Sequence, residues 1–146
     1  MIRAKLKRRP VIKMRNKKIA QMLNDIADMA VGQMKSDIDK GRDFEGRKFA
    51  SLKESTNKSK RKKGSKFPRK PLIDTGLMQK VFRSKSASAS SLVSEVSTAK
   101  KRKEVAIYHN EGAGNLPERK WFGVGKKSKR RFDKYIKSRI RGVLKP

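Results

Sequence analysis

The spacing of apolar residues along the chain changes twice. Ile19, Met22, Leu23, Ile26, Ala30, Met34 and Ile38 recur at three- and four-residue steps, with Asn24, Asp25, Asp28, Lys35 and Asp39 between them. That spacing gathers the apolar set on one face of a helix over 17–40, and Gly41 stands where a left-handed C-cap belongs. From residue 81 the period falls to two. Segments 81–84, 91–97 and 104–109 alternate as half-buried strands do. The Ser/Ala run 84–91 and the cluster Lys100-Lys101-Arg102-Lys103 are short enough links for an antiparallel meander. Helical spacing returns with Phe132, Tyr135, Ile136, Ile140, Val143 and Leu144, behind Ser128 as an N-cap and with Lys and Arg on the other face. The order predicts an α+β fold: a long N-terminal helix, a small antiparallel sheet of three to four strands, and a C-terminal helix.

The remaining segments are less periodic. Phe44-Glu45-Gly46 reads as a turn leading to a short helix anchored by Phe49 and Leu52. Residues 58–70 show no apolar period and contain Gly64, Ser65 and Pro68, which predicts a basic loop that stays mobile until bound. Asp74 or Thr75 can cap a short helix through Gly76-Leu77-Met78. Residues 1–16 are basic with scattered apolar positions and read as an extended arm ordered by a partner, or as an edge strand at 10–14. A chain of 146 residues fits one domain, here 17–146 behind the arm.

Charge changes the picture more than length does. With 42 Lys and Arg against 13 Asp and Glu the formal charge is +29, which must be neutralised by something. Nucleic acid, an acidic protein neighbour and an anionic membrane are the three sources. The excess is uneven: residues 1–18 carry nine cations and residues 58–70 carry eight, neither with an acid. The candidate polyanion or neighbour contacts are therefore Arg3, Lys5, Lys7, Arg8 and Arg9 on the arm, Lys58, Lys60, Arg61, Lys62 and Lys63 in the loop, and Lys100, Lys101, Arg102 and Lys103. No cysteine, no signal-peptide core and no apolar run near the ~20 residues of a bilayer span are present, which predicts a soluble protein made in a cytoplasm, with no membrane partner.

Catalytic chemistry has few residues to work with. Asp74-Thr75-Gly76 after two apolar residues matches the motif of aspartic proteases, in which two carboxylates share a proton; helix capping is the simpler use of Asp74. One histidine and no cysteine leave little for a zinc site or a Cys/His nucleophile pair. His109 reads as a packed or hydrogen-bonded residue at a strand end. The run Gly123-Val124-Gly125-Lys126-Lys127-Ser128 fails as a phosphate loop, because Lys120 and Lys127 stand where glycine and a magnesium-binding hydroxyl are needed. No enzyme and no cofactor are predicted.

Taken in order, several landmarks resemble the phage virion-morphogenesis, or tail-completion, family of Mu-like and related tailed phages. They are a long N-terminal helix; Phe44, Gly46, Phe49 and Leu52; a Lys-rich loop; Leu72, Asp74, Thr75, Gly76 and Leu77; Tyr108, His109 and Gly112; Pro117, Arg119, Trp121, Phe122 and Gly123; and a last helix. The match covers roughly residues 17 to 144, and departs from the family at Glu111, Glu118 and Lys120.

The resemblance implies a structural virion protein of the neck, which completes the tail and joins it to the DNA-filled head. It implies a six-fold homo-oligomeric ring around the DNA channel, between the tail terminator or tube and the head-connector proteins. Sequence-independent contacts to the DNA backbone suit such a conduit. Pro117, Arg119, Trp121 and Phe122 are then candidates for a subunit interface, although the aromatic pair can equally close the core over the sheet. The alternative function is that of a ribosomal or other RNA-binding basic protein, and the aspartic protease is a third.

Overall fold

The computed structural model of the chain describes residues 9–74, 76–99 and 103–144, without the side chains of 9–14, 77, 103, 143 and 144. Helix α1 spans Arg9–Asp39. At ~1.5 Å per residue it is on the order of 46 Å long, and the sheet and the C-terminal helix pack along it. Residues 9–16 therefore continue a helix where an extended arm was expected. Pro10 sits in the first turn, where its missing N–H leaves no bond unmade. The buried face runs through Ala20, Ala27, Ala30, Met34 and Ile38. Ile26 and Met29 pack beside it. The face is turned slightly from the predicted stripe, because small alanines admit closer neighbours than Ile19 or Leu23 would. The helix ends as predicted at Gly41, whose φ is +66°: Gly41 N–H donates to Ile38 O (3.0 Å) and Arg42 N–H to Asp37 O (3.0 Å), a Schellman closure.

The sheet has two strands, β1 (Val81–Lys85) and β2 (Glu95–Thr98), paired antiparallel with Val81 opposite Thr98 and a bulge between Arg83 and Lys85. Val81 is fully buried. Arg83 ties β1 to α1, donating to Asn24 O (3.1 Å) and Asp28 Oδ2 (2.6 Å). The Ser/Ala connection is also fastened to α1. Asn24 exchanges two hydrogen bonds with the Ala87 backbone, and Asn16 Nδ2 donates to Ala89 O.

The predicted third strand is a helix, α3 (Lys103–Glu111). A six-residue alternating run also presents one short helical face, and here Ala106 is the buried position. Glu104 in the first turn and Gly112 just past the end were the sequence signs of that helix. Gly112 takes φ +72°, and both its N–H and that of Ala113 donate to Tyr108 O. The sheet thus has two strands among the described residues where three to four were expected, within an α+β fold.

Two further α-helices and a 3-10 turn are found among the described residues. Glu54–Lys62 forms α2, so the first part of the expected mobile loop is helical and Phe49 and Leu52 precede the helix. Leu77–Gln79 is a single 3-10 turn. The last helix, α4, is Lys126–Leu144 and begins behind Gly125, three residues before Ser128. Its Phe132 enters the core with Met34, Ile38, Phe49, Leu72, Ile73, Met78, Val81, Ala106 and Trp121. Leu72 holds φ +62°, a conformation that costs a branched residue about 1 kcal/mol or more; its burial offsets that strain.

Candidate polyanion-binding surface

Residues 44–52 and 117–123, far apart in sequence, close onto one another. Phe44 N–H donates to Lys120 O at 3.1 Å. Arg119 reaches back through Nε and Nη2 to Ala50 O, at 3.2 and 3.0 Å. Its own N–H donates to His109 O. Trp121 Nε1 donates to Ala106 O at 3.2 Å, and the Phe122 ring meets the Trp121 ring edge-on at 5.4 Å. A Cβ on Gly125 would run into the Phe44 carbonyl, and one on Gly123 into the Phe44 ring. Only glycine fits there.

This junction places the four candidate interface residues. Trp121 and Arg119 are 1% and 3% exposed and belong to the core; burial also pulls the Arg119 pKa below its ordinary value. Pro117 is exposed and Phe122 half-buried, so these two remain at the surface. Of the other landmark residues, Phe49 and Leu72 are buried, Leu52 is half-buried and Phe44 and Gly46 form the turn. Asp74 is exposed, and Thr75 lies outside the described residues.

The basic segment 58–70 divides into an inner and an outer set. Lys60 is only 7% exposed. Its ammonium donates to the carbonyls of Phe67 (3.2 Å), Lys70 (2.9 Å) and Ile73 (2.5 Å), closing the chain after α2. Desolvation lowers its pKa, and the nearby Asp74 charge works the other way. Lys60, placed among the polyanion contacts from sequence, is thus an internal cap. Lys70 Nζ donates to Asp39 O and lies 4.8 Å from the Phe67 ring centre. Lys58, Arg61 and Lys62 on α2, and Lys63 just past its end, remain exposed. Arg3, Lys5, Lys7, Arg8, Lys100, Lys101 and Arg102 lie outside the described residues. Arg9 opens α1 and Lys103 opens α3, their side chains also outside the description.

The largest described block of cations was not among the residues singled out from sequence. Helix α4 carries nine Lys and Arg against Asp133 alone. Lys126, Arg130, Lys134, Lys137 and Arg141 recur at three- and four-residue spacing and are all exposed, opposite Phe132, Tyr135 and Ile136. The helix is docked on α1: Tyr135 O–H donates to Asp25 Oδ2, and Lys18 Nζ donates to Gly142 O at 3.0 Å. That hydrogen bond holds the Asp25 carboxyl below its ordinary pKa and the Tyr135 hydroxyl above its own. At the other end Glu45 Oε2 accepts from Lys126 N–H. The described ion pairs use Arg42, Arg47, Arg83, Lys85 and Lys120. None involves α4. The periodicity that predicted the helix also contained this stripe, as the complement of its apolar face.

Among the described residues no group of three or more His, Cys, Asp and Glu is placed to hold a metal ion, and no helix is long and apolar enough to cross a membrane. Buried His109 Nδ1 has no hydrogen-bond partner among the described residues. Burial, followed by the Arg119 charge, lowers the pKa of that imidazole.

The chain matches no protein-family model, and comparison with curated proteins and with solved structures likewise finds no match.

Proposed function

We propose that this chain is a non-enzymatic structural protein of a tailed-phage virion, acting at the neck where the completed tail joins the DNA-filled head. It would work as one subunit of a six-fold ring, between the tail terminator or tube and the head connector, with DNA passing through. The observation that carries the proposal is the ordered series of landmarks that resembles the tail-completion family. Its separate segments make one structural unit, with Phe44 against Gly123 and Gly125, Arg119 on Ala50, and Leu72 and Trp121 in one core.

The charge supports the same proposal. A ring of copies, each at +29, would set up a strong positive field around a channel. Phosphate contacts from Lys and Arg read no sequence, as a conduit for a whole genome requires. The exposed cations of α2 and α4 are among those available for this work.

The test is gradient sedimentation of lysate from phage-producing cells, followed by a high-salt wash and detection of the chain. It should remain with tails or virions after the wash. Migration with ribosomal subunits would overturn the neck assignment and favour an RNA-binding protein.

A further inference from the structure

We infer that the solvent face of α4 is a preformed binding site for the phosphate backbone of duplex nucleic acid. The inference rests on charge and geometry and does not depend on the neck assignment.

Three observations carry it. The stripe of Lys126, Arg130, Lys134, Lys137 and Arg141 covers about 22 Å along the helix axis. One strand of a duplex presents a phosphate roughly every 3.4 Å along its axis, or about six over that length. The strands wind past a straight row, so its five cations meet the phosphates on the near side of the duplex, where the charge of both strands is dense. The stripe is also rigid: Phe132 is in the core, Tyr135 is bonded to Asp25, and Gly125 is wedged against the Phe44 carbonyl. Binding would not have to order a loop first, which lowers its entropic cost.

The third observation is that the sequence works against the helix it forms. The first turn of α4 contains Lys126, Lys127 and Lys129 and no acid, at the end where the helix dipole is already positive. Arg130 repels Lys126 and Lys134 at four-residue spacing, and Lys137 repels Arg141, where opposite charges would stabilise. A local conflict of this kind marks a site selected for a partner rather than for folding. Lys60 shows the contrast, since its charge is spent on the fold's own carbonyls.

The chemistry of the face selects the form of nucleic acid. No aromatic ring lies on the stripe, and Tyr135 is half-buried with its hydroxyl engaged. Single strands are held by stacking bases on such rings. Helix α4 also carries no Asn or Gln to read adenine edges. Lys and Arg can bond guanine edges as well as phosphates; a row of five of them without an adenine-reading amide suits a contact to duplex phosphates.

The experiment is a fluorescence-anisotropy titration of the full chain with a labelled duplex of arbitrary sequence across a salt series. The parent should show a log–log salt slope of at least about four phosphates' worth, at ~0.9 per contact. A slope below about two overturns the inference without any variant. The triple variant Arg130→Gln, Lys134→Gln, Lys137→Gln should bind at least tenfold more weakly, with the slope reduced by about 2.7. The charge-matched control Lys58→Gln, Arg61→Gln, Lys62→Gln on α2 should stay within threefold of the parent. Equal losses in both would show that net charge alone governs binding and overturn the assignment to α4. Equally tight, stripe-dependent binding of a single strand, of polyglutamate or of anionic vesicles would overturn the choice of duplex.

Discussion

Helices α2 and α4 are both short on acids and rich in lysine, yet they use their charge in opposite ways. Helix α2, Glu-Ser-Thr-Asn-Lys-Ser-Lys-Arg-Lys, contains no apolar side chain. The position facing the core is filled by Lys60, whose stem is buried and whose ammonium closes three backbone carbonyls. Helix α4 supplies Phe132 to the core, with Tyr135 and Ile136 half-buried on the same side, so none of its cations is needed there. A basic run with its own apolar face can keep its charge outside. A basic run without one lends a lysine to the fold.

The comparison can be broken most forcefully at the apolar anchor of α4. Phe132→Ala should remove about 3–4 kcal/mol, the cost of emptying a buried aromatic site, read as a lower midpoint in denaturant unfolding. The loss should appear in the signals of α4 and α1 together, because Phe132 joins the cluster that contains Met34 and Ile38.

Lys60→Ala should come next, at about 2–3 kcal/mol, because three carbonyls, that of Ile73 buried, lose their donor at once. An exposed neighbour such as Lys58→Ala should stay within about 0.5 kcal/mol. Equal, small effects of the two would show that Lys60 is a surface residue like the rest. Because burial lowers the Lys60 pKa below its ordinary 10.5, the unfolded chain binds the extra proton in that range. The wild type should therefore gain stability on Lys60's account as pH rises toward 10.5 from below.

The smallest effect belongs to the tie between α4 and α1. Tyr135→Phe should cost about 1 kcal/mol or less, since it removes one hydrogen bond near solvent. Its pH signature is more informative. Asp25 is held below its ordinary 3.8 and Tyr135 above its ordinary 10.0, so their contribution is complete between those values. It is lost as pH falls below 3.8 through the folded carboxyl's pKa, and again as pH rises past 10.0 through that of the folded hydroxyl. In Tyr135→Phe both losses should be reduced, as followed by thermal melts across pH. His109 adds a separate acid arm: its lowered pKa makes stability fall as pH drops below 6.5.

Where the structure departed from the sequence reading, the reason was local ambiguity resolved from a distance. Residues 104–109 alternate well enough for a strand, and six residues are too few for period alone to separate strand from helix. The capping residues Glu104 and Gly112 held the answer, and Gly112 has a second task, since a Cβ there would meet the Glu118 backbone at 2.9 Å. The loop 58–70 looked free because nothing in it is apolar. Only the positions of the carbonyls of Phe67, Lys70 and Ile73 show why Lys60 turns inward.

By itself the sequence determined that 17–40 and the C-terminal segment are helical, most of their apolar positions and the Gly41 stop, because helix periodicity and capping act over a few residues. It also determined a charge excess too large to be balanced within the chain. Tertiary structure alone decided which cations are structural and which are on offer. It sent Arg119 to Ala50, 69 residues away, and Trp121 to the Ala106 carbonyl, while leaving the α4 stripe in solvent. A buried carbonyl must find a donor and a rigid ring must find a cavity, and both are supplied by distant segments whose arrival no local spacing records.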